Sequence, residues 1–302
     1  MPKLPAKTVG LSFFLYRTEE EAKTGGEIGG TGFFVGIQST VNPEMTHLVA
    51  ITNWHVAVSG GSSVIRLNKA GGGTEVFEFG PEEWVFVPNS YDVAALPFDT
   101  DASNLEIVCV RTDTFATRDV LNHFEIGPGE DVFMPGRFVN LAGAETNVPG
   151  LRFGNISMMP QPIKQKNFAA PDSYCIDMHS RDGYSGSPVF VYRTLGQVLD
   201  NPGTINPEEC FMLLLGVHWG QFPEYWEIKE GGAMAASEAA LSLSAGRQYV
   251  EGRSGMTCVA PAWAILELLE APKIKAWLKA EEQKLEPLPP MADGPAPILP
   301  NP

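Results

Sequence analysis

Ser185 lies between two glycines in a segment with the residue types of a nucleophilic turn. The run is G-Y-S-G-S-P, and it comes just before the apolar segment 189–192. Glycines on both sides let the backbone turn sharply, so the N–H groups of Gly183 and Ser185 can point at one spot. Two such donors form an oxyanion hole, which stabilises the charge that develops when a hydroxyl attacks a carbonyl. Ser185 is therefore a candidate nucleophile, with Gly183 and Ser185 as candidate oxyanion donors.

A histidine and an aspartate lie at the ends of two other apolar runs. His55 follows the run 48–51 within T-N-W-H-V, and Asp92 opens the run D-V-A-A-L. A histidine can take the proton of a serine hydroxyl, and a carboxylate can orient that histidine and stabilise its charge. Taken singly, the three motifs have ordinary explanations as a Gly/Ser turn, a core or surface histidine and a turn aspartate. Their occurrence in the order His, Asp, Ser favours a catalytic triad of His55, Asp92 and Ser185.

The surrounding motifs resemble those of the trypsin-like peptidases, in particular the bacterial branch that includes the HtrA proteases and the staphylococcal glutamyl endopeptidase. Five motifs match in order between residues 29 and 220, namely G-G-T-G-F-F-V-G, T-N-W-H-V, D-V-A-A-L, G-Y-S-G-S-P-V-F and G-V-H-W-G. The resemblance covers roughly residues 8 to 269. It implies an all-β fold of two packed antiparallel six-stranded β-barrels with the triad in the cleft between them. It also implies a serine endopeptidase that forms an acyl-enzyme and uses no cofactor or metal.

Two positions differ from the vertebrate trypsins. Val56 stands where those enzymes carry a cysteine, so their disulfide beside the histidine is absent. Tyr184 stands where they carry the aspartate that binds a new N-terminal amine after zymogen cleavage. That activation switch cannot operate in this chain, and we expect the oxyanion hole to be held in another way.

The resemblance also indicates which residues line the pocket for the side chain before the scissile bond. These are His179, Ser180, His218, Trp219 and Gly220. The pocket base has no carboxylate, so selection of Lys or Arg is not expected. An imidazole with a hydroxyl suits a carboxylate through charge-assisted hydrogen bonds, which favours Glu or Asp with His218 as the main determinant. Alternatively, His218 packs near the triad aspartate and His179 is a surface residue. Asp182 would oppose an acidic substrate unless Arg181 offsets its charge.

The rest of the chain must form the framework that positions these residues. Short β-branched and aromatic segments recur between turn signals over about 8–98 and 128–260, which predicts the two barrels, with a connection at about 99–127. A C-terminal helix is predicted over about 261–284, with Pro272 ending it or starting a second turn. The Ala-, Gly- and Ser-rich segment between residues 221 and 255 is compatible with a short helix or a surface loop. Residues 1–284 are thus one peptidase unit, and the proline-rich residues 285–302 are a disordered tail.

Composition excludes several classes of partner. With 36 acidic against 21 basic side chains, the net charge of −15 repels a phosphate backbone, so nucleic acid is not expected. No apolar run approaches the roughly 20 residues of a membrane span. The N-terminal residues have no apolar signal-peptide core, so we expect a cytoplasmic protein without membrane contact. Four cysteines lack the spacing of a zinc site and are expected to be free thiols: Cys109, Cys175, Cys210 and Cys258.

The expected partner is a protein or peptide substrate. The competing hypothesis is a partner-regulated or catalytically silent module that keeps the fold and binds a regulatory protein. Either the segment between residues 221 and 255 or the proline-rich tail would make that contact. An intact triad argues against permanent silence.

Overall fold

The computed structural model describes residues 6–26, 28–165, 167–194, 211–227, 235–236 and 249–285. These residues are mostly β-structure. The strands of the first half are β1 Phe13–Tyr16, β2 Gly30–Gln38, β3 Thr46–Thr52, β4 Val64–Asn68, β5 Thr74–Phe77, β6 Ala94–Phe98 and β7 Cys109–Arg111. The strands of the second half are β8 Asp131–Gly136, β9 Gly150–Pro162, β10 Asp172–Asp177, β11 Pro188–Arg193, β12 Phe211–Glu227, β13 Ala235–Ala236 and β14 Tyr249–Pro261. The α-helices are α1 Glu19–Thr24, α2 Trp54–Ala57, α3 Arg118–His123, α4 Ala262–Leu269 and α5 Pro272–Lys284.

The first barrel consists of β1 to β7. Six strands form an antiparallel sheet in the order β5-β4-β1-β2-β3-β6, and β7 adds to β2 in parallel. A bridge between Val85 and Ala95 continues the pairing beyond β6. Successive side chains of a strand point to opposite faces. For this reason β2 turns Phe34 into the barrel and Phe33 and Val35 out of it.

The second barrel is a closed ring of six strands. Its order is β11-β8-β9-β10-β14-β12, and β12 pairs back to β11. Beyond the barrel, residues 223–227 of β12 pair with residues 249–253 of β14. This two-stranded extension is called the ribbon below, and β13 pairs with its tip at Trp226 and Glu227.

The two barrels share an apolar core. β2 and β3 contribute Phe33 and Ile51 to it, and the second barrel contributes Phe133 and Phe190. The rings of Phe133 and Phe190 are stacked with centroids 5.1 Å apart. Helix α4 adds its buried Ile265 to the same core. The junction between the barrels is therefore apolar and closely packed, which holds any site built across it in place.

The C-terminal segment predicted over 261–284 is helical and is divided into two helices at Pro272, where the sequence analysis expected the helix to end or a second turn to start. Pro261 ends β14 and caps α4, whereas Pro272 is the first residue of α5. Proline is favoured at that position because its missing N–H has no partner within the helix there. Helix α5 returns to the first barrel, where Glu282 accepts hydrogen bonds from Thr40 N at 3.0 Å and Oγ1 at 2.6 Å.

The predicted all-β, two-barrel fold with a C-terminal helical segment is confirmed. The expectation of a helix or loop between residues 221 and 255 is wrong at both ends of that segment, which are the strands of the ribbon. Its central residues 228–234 and 237–248, and the predicted tail from residue 286 onward, lie outside the described residues. Over the described ranges, no helix is long and apolar enough to cross a bilayer. Those ranges also contain no cluster of three or more His, Cys, Asp or Glu side chains suited to a metal.

The shared core predicts a large effect of truncating α4. Ile265→Ala should lower the free energy of unfolding by about 2–5 kcal/mol, because Ile265 is fully buried and its loss leaves a cavity. Leu141→Ala is the matched control, since the Leu141 side chain is 70% exposed and should matter little. Urea denaturation of both variants measures the difference. Similar losses in the two variants would contradict the shared core.

Candidate active site

His55 and Asp92 are brought together by the pairing of two neighbouring strands. β3 ends at Thr52, which is the ladder partner of Ala94 at the start of β6. His55 follows β3 in the one-turn helix α2, and Asp92 lies two residues before β6. The buried Asn53 donates from Nδ2 to Asp92 O at 2.7 Å, which holds the two strand ends against each other. Sheet register thus joins residues that are 37 positions apart.

Asp92 binds His55 through both of its carboxylate oxygens. His55 N donates to Asp92 Oδ1 at 3.0 Å, and His55 Nδ1 lies 2.5 Å from Asp92 Oδ2. An ionised carboxylate only accepts hydrogen bonds, so Nδ1 is the donor, and Nε2 keeps its lone pair in the neutral ring. The Asp92 side chain is 6% exposed and the His55 side chain is 38% exposed. The arrangement gives an accessible base that is oriented by a buried carboxylate.

Ser185 lies on a tight turn between β10 and β11. Gly183 and Gly186 have φ angles of 94° and 85°, a region that side chains disfavour, so both positions require glycine. Ser185 O accepts the N–H of Thr31 at 2.8 Å, and Gly186 N donates to His218 O at 2.9 Å. The serine turn is therefore held between β2 of the first barrel and β12 of the second.

The serine turn and the histidine segment lie against the same glycine of β2. A Cβ added to Gly30 would lie 2.9 Å from Ser185 O and 2.7 Å from a methyl group of Val56, the residue after His55. Within the described residues, no hydrogen bond joins Ser185 Oγ to the His55 ring. Such bonds are often long in unliganded enzymes and tighten with substrate. The structure brings the three predicted residues to one junction, with the His55–Asp92 contact already formed.

Thr31 and Tyr184 hold the turn that carries the predicted oxyanion donors. Thr31 Oγ1 donates to Gly183 O at 2.6 Å and accepts from Arg137 N at 2.9 Å. Tyr184 is buried in the core of the second barrel, and burial raises the pKa of its phenol. A buried hydroxyl and a buried aromatic ring therefore take the place of the ion pair that Tyr184 cannot make. Sequence analysis missed Thr31, although it lies within the motif G-G-T-G-F-F-V-G.

A cleft of about 660 Å³ opens beside the serine turn. The predicted residues that line it are Ser180, Gly183, Ser185, His218 and Gly220. Ser180 Oγ lies 3.0 Å from His218 Nε2, and His218 Nδ1 lies 3.2 Å from Cys258 O. Since a carbonyl oxygen only accepts, Nδ1 carries the proton, and Nε2 accepts the Ser180 hydroxyl. Both nitrogens of the His218 ring are thus engaged inside the protein.

The His218 ring is neutral near pH 7. Burial lowers its pKa to about 4, and the electrostatic effects of His55 and Arg253 act in the same direction. The Cys258 carbonyl and the Asp92 carboxylate oppose this shift without overcoming it. The sequence-based hypothesis assigned charge-assisted binding of Glu or Asp to the His218 imidazole. In the folded protein this imidazole is neutral.

His179 and Trp219 are not among the side chains that line the cleft. His179 is exposed, and its ring lies over Gly255, whose added Cβ would be 2.9 Å from His179 Cε1. Trp219 is half-buried against the shared core, and its Nε1 donates to Ser173 Oγ at 3.0 Å. The structure thus brings Ser180 and His218 together and leaves the other two apart from them.

Arg253 is a cleft residue that sequence analysis missed. It lies in the ribbon, opposite Pro223, and lines the cleft together with Ser180 and Ser185. Its guanidinium forms an ion pair with Asp182, 71 positions earlier. Arg253, not Arg181, therefore offsets the charge of Asp182. No local sequence signal marks this pair, because only the ribbon brings the two residues together.

The fold is found in known protease structures. No protein-family model matches the chain, and no curated protein sequence matches it significantly. The apo protease domain of MamO from Magnetospirillum magneticum is similar in structure, with a TM-score of 0.50 and 15% identity, over 89% of this chain and 100% of that one. The fold is that of the trypsin-like proteases.

Two further proteases are similar at lower TM-scores. The HtrA-type protease AlgW with a decapeptide matches with a TM-score of 0.44 and 16% identity, over 80% of this chain and 50% of that one. The active form of the Rv3671c protease from M. tuberculosis matches with a TM-score of 0.44 and 17% identity, over 85% of this chain and 78% of that one.

The neutral, buried His218 in this trypsin-like fold predicts a specific acid sensitivity. Between about pH 6.5 and pH 4 the unfolded chain binds a proton at His218 and the folded protein does not, so stability falls as the pH is lowered. Above pH 6.5 the contribution of His218 to the free energy of unfolding is fully present and is on the order of 3 kcal/mol. His218→Gln should remove this part of the pH dependence, measured by urea denaturation from pH 7.5 to pH 4.5. Parallel curves for the two proteins would contradict a neutral His218.

Proposed function

We propose that this protein is a serine endopeptidase that cleaves peptide bonds through an acyl-enzyme. The observation that carries the proposal is the contact of His55 with Asp92 at the junction that also holds Ser185. Ser185 attacks the scissile carbonyl, His55 takes the hydroxyl proton and returns it to the leaving amine, and Asp92 orients His55. The N–H groups of Gly183 and Ser185 stabilise the oxyanion.

The substrate is an extended peptide that adds to β12. The pairing of β12 with β14 has an irregularity between His218 and Gly220, which leaves Trp219 without a ladder partner in β14. Its backbone N–H and C=O are suited to an added antiparallel strand. Such a strand would run beside Ser185 and place one side chain in the cleft lined by Ser180 and His218.

The preferred residue before the scissile bond is Glu, with Asp second. The Ser180–His218 pair gives the cleft a polar wall, and this supports a polar side chain over an apolar one. A carboxylate left without donors in such a cleft would cost several kcal/mol, so an acidic substrate also requires a cation at the site.

Fluorophosphonate labelling tests the proposed reaction directly. Wild-type protein should be labelled at Ser185, because the reagent reacts with an activated serine hydroxyl. Ser185→Ala should abolish labelling and lower peptide turnover by at least about 10³-fold, and His55→Ala should be comparably inactive because triad members act as a unit. Both variants should keep the thermal midpoint of the wild type within a few degrees, since neither change removes much core volume.

The outcomes separate the endopeptidase from its alternative. More than a few per cent of wild-type turnover in either variant would refute the triad. A folded wild type that neither takes the label nor cleaves any peptide would favour the catalytically silent binding module.

Thr31 is proposed as a positioning residue for the oxyanion donors. Thr31→Val removes the hydroxyl that holds Gly183 O, so kcat should fall about 10²-fold with little change in KM, as when one oxyanion donor is lost. Thr31→Ser keeps the hydroxyl and should restore most of kcat. Equal losses of kcat in the two variants, or a loss confined to KM, would show that the hydroxyl does not position the turn.

A further inference from the structure

The polar wall of the cleft has no N–H to offer an acidic side chain. The Ser180 hydroxyl donates to His218 Nε2, and His218 Nδ1 donates to Cys258 O. The ring is fully buried and neutral, so it supplies neither a free donor nor a charge. A carboxylate that entered the cleft would meet the lone pairs of Ser180 Oγ and would need its cation from elsewhere.

Arg253 has the position and the free donors for this task. It extends from the ribbon into the cleft that Ser180 and Ser185 also line. A guanidinium has five N–H donors, and Asp182 is the only side-chain hydrogen-bond partner of Arg253 among the described residues. The Arg253 side chain is 44% exposed and that of Asp182 is 82% exposed, so the pair lies at the cleft rim and can exchange partners with a ligand.

Among the charged groups at the cleft, Arg253 differs in its electrostatic effect on His218. Arg181 and Glu251 also line the cleft, but Arg253 is the lining residue whose charge acts on the His218 ring. The other ionisable groups that act on this ring are His55 and Asp92, the proposed catalytic pair. Arg253 is therefore the cleft cation whose charge acts on the Ser180–His218 wall.

We propose that Arg253 is the specificity-determining residue that binds the carboxylate of a Glu or Asp before the scissile bond, and that it exchanges Asp182 for the substrate when it does so. This inference rests on the proposed endopeptidase function and assigns the charge recognition to the ribbon rather than to His218. Ser180 and His218 then shape the cleft as a neutral wall. A guanidinium is charged at all working pH values, so this kind of recognition does not depend on pH.

The first test compares peptides that differ only in having Glu, Gln or Leu before the scissile bond. Wild type should prefer Glu. Arg253→Gln should lower the Glu/Leu ratio of kcat/KM by about 10- to 100-fold, the value of a charge-assisted hydrogen bond. Arg253→Lys should retain part of the ratio. Arg181→Gln, which changes the net charge equally within the same cleft, should alter the ratio by less than about 3-fold.

Asp182→Asn should not lower the Glu/Leu ratio of kcat/KM, in contrast to Arg253→Gln. It removes the carboxylate that competes for Arg253, so the Glu/Leu ratio should stay the same or rise. Because Asp182 precedes the oxyanion turn, kcat itself can change, and the ratio is the relevant readout. A fall of the ratio in Asp182→Asn comparable to that in Arg253→Gln would overturn the exchange of partners.

The pH dependence separates Arg253 from His218 as the source of charge. With Arg253 as the cation, the Glu/Gln ratio should be flat from pH 6 to pH 8.5, because a guanidinium does not titrate there. The other titratable groups that face Arg253 and His218 are His55, Asp92, Asp182 and Glu251, and any effect on catalysis that is common to both peptides cancels in the ratio. A ratio that falls as the pH rises past about 6.5 would place the charge on a histidine and overturn the inference.

A binding measurement makes the inference testable without turnover. Calorimetric titration of Ser185→Ala with product peptides ending in Glu or Leu should show tighter binding of the Glu peptide, and Ser185→Ala combined with Arg253→Gln should lose that difference. If Ser185→Ala binds the Glu and the Leu peptide with equal affinity, the role of Arg253 is overturned, but the endopeptidase proposal is not. Wild type that cleaves the Leu peptide best also overturns that role, and the endopeptidase proposal stands. The endopeptidase proposal fails on separate grounds, for example if wild type cleaves no peptide and takes no fluorophosphonate.

Discussion

Thr31 joins the two halves of the site through all of its polar groups. Its N–H donates to Ser185 O at 2.8 Å, and its carbonyl accepts the hydroxyl of Thr52, at the end of β3 before His55, at 2.7 Å. Its own hydroxyl links Arg137 N to Gly183 O. The residue is fully buried, so losing any of these partners would leave a polar atom without water to replace it. The serine turn and the histidine segment therefore keep one relative position because both are bonded to the same residue of β2.

The serine turn is held by permanent packing. Tyr184 lies in the core of the second barrel where the vertebrate enzymes have a switchable aspartate, and the guanidinium of Arg152 lies 5.5 Å from the centre of its ring. On the first-barrel side, the Arg137 guanidinium lies 4.1 Å from the centre of the Tyr16 ring and donates to Gly26 O and Ile28 O. Ile28 lines the cleft, so this buried arginine also fixes the cleft edge. The burial of Arg137 lowers its pKa, yet a guanidinium remains charged, and the carbonyl oxygens around it offset part of the desolvation cost.

Charge in the cleft is placed where water can still solvate it. His218 is buried between the barrel strands, and desolvation makes its charged form unfavourable. Arg253 lies at the solvated rim, where a charge costs little and is still close enough to affect His218. Desolvation thus keeps His218 neutral, so that it shapes the cleft. Solvation leaves the charge of Arg253 available to recognise a carboxylate.

Local patterns and the family resemblance were enough to predict the barrels and to single out His55, Asp92 and Ser185, which the fold brings to one junction. Strand alternation and turn residues report which face of each segment is buried, and the glycines around Ser185 are demanded by the positive φ of the turn itself. The state of His218 and the place of Arg253 depend instead on contacts between distant segments. His218 titrates as it does because β12 and β14 bury it, and Arg253 reaches Asp182 because those strands continue beyond the barrel as the ribbon. The Ala- and Ser-rich composition within that segment hid the two strands at its ends. Only tertiary structure decides such features, because desolvation and ion pairing depend on which atoms surround a group, and a linear sequence does not specify those neighbours.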